Sequence, residues 1–352
     1  MTLIADNDLA GVAPQEAPPV PRPRPAANGD RVEPPPLTLS PRRLVLLVLM
    51  WSLVSLAGFV LVLYGLGPIF HQRDQRLVFE QFRQELERSA NESFGLPGVQ
   101  TVSKAPEIGA PVGVLEIGGI GVQQVTLEGV SSSVTAEGPG HVVGTAGLGQ
   151  PGNSVLVGRR GAFGGPFGDI GALHSGDVLL VTTTQGQTVY KVDTVREQQL
   201  VKGTGEASTA AATPSSSAAD EPQADPLAAG TVDIDLLYGA SKDDRLTLVT
   251  SASANPLNGT AATVVVAKLQ GKPLAPLAQG GRTDAQTGAA GDATAWPALV
   301  LALLAYVTAV VAAVVLYRRS SGRVAYLLTA APLLAFTVLA AESLSRLLPA
   351  WT

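Results

Sequence analysis

The side chains that most often run covalent or metal chemistry are scarce in this chain. None of its 352 residues is a cysteine, which excludes disulfides, thiolate metal sites and thiol nucleophiles together. Three histidines occur, His71, His141 and His174, and no two of them are four residues apart. Without an i, i+4 pair or a Cys/His cluster, neither a metal site nor a cofactor is expected. No Gly-x-Ser-x-Gly elbow is present to expose a serine. The net charge is -5, and the arginines gather beside apolar runs instead of forming an open basic patch, so nucleic acid is not an expected partner.

The elements that must position any site are partly membrane segments. Hydrophobic residues make up 46% of the chain and charged residues only 15%, whereas about a quarter is charged in a soluble domain. Residues 1–41 are rich in Pro and Ala and are expected to be a disordered cytoplasmic tail. Three apolar runs follow, over 44–70, 296–317 and 324–348, and about 20 apolar residues suffice to span a bilayer. Arg42 and Arg43 precede the first, and Arg318, Arg319 and Arg323 separate the second from the third. Positive charge favours the cytoplasmic side. Three transmembrane helices satisfy both clusters and leave 71–295 outside. The expected location is therefore the cell membrane, multi-pass, with a cytoplasmic N-terminus and an extracytoplasmic domain.

Between the first and second runs, 72–96 reads as a helix. Leu77, Val78, Phe82 and Leu86 fall near one face, which suits a stalk or a helix packed on the domain. Residues 112–269 then carry short runs such as Val114-Leu-Glu-Ile117, Ser154-Val-Leu-Val157, Leu246-Thr-Leu-Val249 and Thr263-Val-Val-Val266, several bounded by Gly, Pro, Asn or Asp. Scattered short strands with turn signals predict a barrel or sandwich. An Ala, Ser, Pro and Thr-rich stretch over 203–230 reads as a flexible insertion, and 270–295 as a linker. Ala302, Ala305, Ala309, Ala312 and Ala313 give the second run a small face, which permits close contact with a partner helix in the membrane.

Several blocks within 112–269 resemble the sortases, membrane-anchored transpeptidases, and most closely their actinobacterial class E and F-like members. They are Leu115-Glu-Ile117 with Ile120-Gly-Val122 and Glu128-Gly129, then Gly138-Pro-Gly-His-Val-Val-Gly-Thr145, Gly149-Gln-Pro-Gly-Asn153 and Val155-Leu-Val-Gly158. Phe163-Gly-Gly-Pro-Phe167, Leu173-His-Ser-Gly-Asp177, Tyr190-Lys-Val192 and Leu246-Thr-Leu-Val-Thr250 follow in the family's order. The implied fold class is mainly β, a sortase-like β-barrel outside the membrane plus three transmembrane α-helices.

The resemblance also implies a site, formed by a cysteine nucleophile, a histidine acid and an arginine on the oxyanion. At the matching places stand Ser251, Arg159 and Ala262. The groove is expected to involve Thr250, Ser251, Arg159, Arg160 and His141. An arginine does not exchange protons near neutrality, and an alcohol without a base is a weak nucleophile. The expected reading is a catalytically degenerate pseudosortase that binds or scaffolds a cell-envelope or membrane-protein partner. Arg159 and Arg160 can offer guanidinium donors to a carboxylate or phosphate. The alternative is a serine-dependent transpeptidase or hydrolase, in which Ser251 needs His141, His174 or Lys242 beside it.

Overall fold

Runs of Val, Thr and Leu become strands here because β-branched side chains suit a pleated backbone. The computed structural model describes residues 41–61, 65, 67–95, 104–161, 164–201, 231–253, 261–281, 287–288, 291–319 and 322–351. The tail before Pro41 and the insertion expected over 203–230 lie outside them. In chain order the elements are α1 (Pro41–Val60), α2 (Gly67–Gly95), β1 (Pro111–Ile117), β2 (Val122–Glu128), α3 (Ser132–Glu137), β3 (Gly140–His141) and β4 (Asn153–Val157). β5 (Val178–Thr183), β6 (Gly186–Val201), β7 (Thr231–Asp233), α4 (Ile234–Leu237), β8 (Arg245–Ser251), β9 (Ala261–Gln270), α5 (Trp296–Arg319) and α6 (Gly322–Leu347) follow.

The strands run in the order β5-β1-β2-β3-β4-β8-β9-β6, and β5 pairs again with β6. Eight strands therefore close into a barrel, with β7 added in parallel beside β6. β4 and β8 lie parallel to each other and are buried on both faces. Successive side chains alternate between faces. Leu156, Leu248 and Val265 point inward and join Leu115, Ile117, Phe167 and Tyr190 in the barrel core. Val155, Val157, Val249 and Val264 point outward, into a second apolar layer with Ile234, Leu237, Tyr238 and Trp351. Double burial is why these strands read as unbroken apolar runs.

α2 packs on the barrel, with Val78 and Phe82 buried against Val114, Val125, Leu127 and Val134. It begins at Gly67, five residues before the helix expected over 72–96. Its first turns are tied down by polar bonds. The Gln75 side chain accepts from the Val125 N–H at 2.7 Å and donates to the Val125 carbonyl at 3.2 Å. The ring of His71, buried, lies 2.8 Å from Oε1 of Gln124.

Two helices, Trp296–Tyr317 and Leu328–Leu347, are long and apolar enough to cross a membrane. At the first of the three expected spans, the apolar helix among the described residues is Leu49–Val60. Arg42 and Arg43 fall in the first turn of α1, and 62–64 and 66 of the expected 44–70 segment lie outside the described residues. α1 still packs with the other two helices. Trp51 stacks on Tyr326 with centroids 6.3 Å apart and planes at 28°, and the Ser55 and Tyr306 hydroxyls meet at 2.6 Å. A Cβ on Gly58 would touch Thr337 and Leu334, so α1 ascends alongside α6 in the same direction. The residues before α5 meet the end of α6, and α3 meets the residues just after it. The Asp292 N–H donates to the Arg346 carbonyl at 2.7 Å, and the Ser132 hydroxyl donates to the Leu348 carbonyl at 2.5 Å.

Candidate functional site

The ends of β4, β8 and β9 bring the sequence-derived positions together. β8 and β9 pair with Ser251 directly opposite Ala262. On the other side of β8, Val157 is level with Val249, and Arg159 follows two residues later. The corner is stitched by the Gly158 N–H donating to the Val249 carbonyl at 3.0 Å and the Thr250 hydroxyl donating to the Gly158 carbonyl at 2.8 Å. Gly158 has no alternative there, because a Cβ would lie 2.5 Å from the Phe167 ring.

Arg159 is fully buried and donates from one guanidinium nitrogen to the carbonyls of Ser132 at 2.8 Å and Ser345 at 3.5 Å. Burial pushes this guanidinium down to about 10, which leaves it charged at neutral pH. Arg160 donates to the Ser251 carbonyl at 3.0 Å. The Ser251 hydroxyl, buried, is committed to its own turn. It donates to the Ser253 carbonyl at 2.9 Å and accepts from the Ser253 N–H at 3.2 Å. A local side-chain-to-backbone turn of this kind uses the groups a nucleophile needs free.

Two members of the expected groove fall elsewhere, which is a correction. His141 pairs with Leu156 and Thr250 with Thr263, so both side chains face the barrel interior, opposite to Ser251. A two-residue side-chain period explains the miss, because sequence proximity to the site says nothing about which face a residue takes. The His141 ring lies 2.9 Å from Glu128 Oε2 through Nδ1, and its Nε2 lies 2.9 Å from the Ala146 carbonyl. The Glu128–His141 pair lines a separate polar cavity of about 630 Å³ shared with Glu107 and Gln150. His174 sits in an exposed turn whose own N–H donates to Asp177, and Lys242 is exposed. Among the described residues no histidine or lysine bonds to the Ser251 hydroxyl.

The residue that sequence reasoning missed is Trp351. Its ring is buried in the outward layer with Val157, Val249, Ala262 and Tyr238. Its carbonyl accepts from the Ser251 N–H at 3.2 Å and the Arg160 N–H at 3.3 Å. Ala350 donates to the Gly288 carbonyl at 3.0 Å, and the Tyr238 hydroxyl donates to the Thr287 carbonyl at 2.8 Å. Gly288 turns at φ 74°, with the Trp351 ring 3.5 Å from where a Cβ would stand. A tryptophan just past an apolar helix ordinarily signals a membrane-interface anchor, so nothing local flags its insertion into the domain. The arrangement can grip an extended segment through two N–H groups and an apolar slot. Among the described residues it brings that segment no histidine or lysine bonded to Ser251.

Residues 115–270 match the sortase domain. The match covers the blocks on which the resemblance rests and the barrel from the middle of β1 to the end of β9. No curated protein sequence matches the chain. Among solved structures, the chain is similar to a sortase D5 transpeptidase from Clostridium perfringens, at 20% identity over 56% of this chain and 99% of that one, with a TM-score of 0.39. It is also similar to sortase E from Streptomyces avermitilis, at 25% identity over 48% of this chain and 93% of that one, with a TM-score of 0.32. Sortase E1 from Streptomyces coelicolor, solved with a tripeptide in the active site, is 22% identical over 49% of this chain and 94% of that one, with a TM-score of 0.30.

Proposed function

We propose that the sortase domain of this chain is a non-catalytic module, a class E-like pseudosortase of an actinobacterial membrane. It binds or scaffolds a cell-envelope or membrane-protein partner at the outer membrane face. One observation carries the reading: the Ser251 hydroxyl is buried and, among the described residues, bonded within its own turn. An alcohol so held keeps its proton at neutral pH and does not attack a carbonyl. The neighbouring positions support the same reading. Arg159 cannot act as a proton donor and acceptor near pH 7, and Ala262 carries no charge to place on an oxyanion.

The outer-face placement is supported by charge. α5 leaves the barrel and α6 returns to it, so the end of α5 at Arg319 and the start of α6 at Gly322 lie at the far end of both helices, where Arg318, Arg319 and Arg323 fall in sequence. The positive-inside tendency assigns that end to the cytoplasm and the barrel to the opposite side. The competing reading, a serine-dependent transpeptidase or hydrolase, requires Ser251 to turn over substrate. The full chain and its Ser251→Ala variant, cross-linked in their native membranes, distinguish the two. The variant is expected to retain every partner that co-purifies with the parent, at equal yield. Loss of a covalent partner adduct in the variant, with folding intact, rules the proposal out.

A further inference from the structure

The outward face over Ser251 is not open. Residues 348–351 leave α6 without a linker and lie across it, and each contact on that face is of the kind a bound peptide would make. The Leu348 carbonyl takes the Ser132 hydroxyl, Ala350 donates to Gly288, and the Trp351 carbonyl takes two N–H groups from the ends of β4 and β8. The Trp351 ring is buried in the apolar layer that also holds Val157, Val249, Ala262 and Tyr238. Main-chain bonds to strand ends with one side chain in a pocket are how a peptide joins a sheet face or edge. We propose that this cleft is a binding site for the chain's own segment 348–351, held in cis, and that an external extended peptide with an apolar side chain binds only by displacing Trp351.

The inference rests on the reading of this face as a binding cleft, and it adds the regulation of that cleft. A segment joined directly to a helix is present at an effective concentration of roughly millimolar or more. A free peptide of the same sequence therefore competes poorly until the segment withdraws. Because residue 348 directly follows α6, a partner that shifts this helix in the membrane withdraws Trp351 and opens the cleft.

The absence of cysteine makes the test clean. In full-length protein in detergent, Ser251→Cys introduces a single thiol beneath Trp351, and its reaction with a maleimide reports access. The double variant Ser251→Cys with Trp351→Ala is expected to label at least tenfold faster than Ser251→Cys alone, whereas Trp351→Phe, which still fills the slot, keeps the rate slow. A synthetic peptide copying 345–351, added to the double variant, is expected to restore slow labelling. That restoration separates an opened cleft from an unfolded domain, which no peptide would protect. Equal labelling of the single and double variants overturns the proposal, and so does fast labelling that the peptide cannot slow. Either failure leaves the inertness of the native serine untouched, because an introduced thiol reports access and not serine reactivity.

Discussion

Replacing Asn153 by Ala probes how the site is assembled. This side chain, buried at the start of β4, uses nearly all its hydrogen-bonding capacity. Its amide donates to the carbonyls of Leu237 at 2.9 Å and Gly239 at 3.0 Å, and its oxygen accepts from the Thr247 hydroxyl at 2.8 Å and from Arg245 at 3.3 Å. It thereby fastens α4 to the barrel and sets Tyr238 against Trp351. The alanine variant removes three good neutral bonds and leaves buried carbonyls without donors, at about 1 kcal/mol or more each, so a loss of about 3–4 kcal/mol is expected. For a domain of this size that corresponds to a fall in Tm of about 6–16 °C. The assay is thermal unfolding of the full chain in detergent, followed by far-ultraviolet circular dichroism. Asn153→Asp, which keeps the acceptor but turns a carboxylate toward two carbonyls, is expected to be at least as harmful. A fall below about 3 °C for the alanine variant, equivalent to roughly 1 kcal/mol, refutes the bonding argument.

Two further predictions concern the barrel core. Burial pushes the Tyr190 phenol up to about 12, although it accepts from the Gly149 N–H at 2.9 Å. An unfolded tyrosine ionises near 10, so this group costs no stability below pH 10 and withdraws it progressively as pH rises from 10 through 12. Absorbance titration at 295 nm is expected to show a late-titrating tyrosine that Tyr190→Phe removes, at a cost of about 1–3 kcal/mol for the abandoned Gly149 N–H. Gly158→Ala drives a methyl into the Phe167 ring, and overpacking of this kind is expected to cost about 1–3 kcal/mol in urea titration.

The barrel could be read from the chain because its strands are short, β-branched and separated by turns, and because the motif blocks keep their order through β9. Of the three positions singled out in the sequence, Ser251 closes β8 opposite Ala262 near the start of β9, and Arg159 follows β4 by two residues. What escaped was orientation. Thr250 stands beside Ser251 in sequence and His141 lies on the strand paired with β4, but both take the other face of the sheet, a distinction carried by strand register that neighbouring residues do not encode. Trp351 escaped for a different reason. Its partners Val157, Tyr238 and Ala262 are distant in sequence, and an aromatic residue after an apolar helix has an ordinary explanation in the membrane interface. Gln75 was likewise silent: a polar residue on a surface helix gives no sign that its amide will bond the backbone of β2.

The central claim is that the cleft around Ser251 in this sortase-like domain is chemically inert, and a fluorophosphonate probe addresses it most directly. Incubated with the full chain and with Ser251→Ala at pH 7, and analysed by intact-mass spectrometry, the probe is expected to leave both at their unmodified mass, in the Trp351→Ala background as well. Stoichiometric phosphonylation of the parent that maps to Ser251 and disappears in the alanine variant contradicts the account.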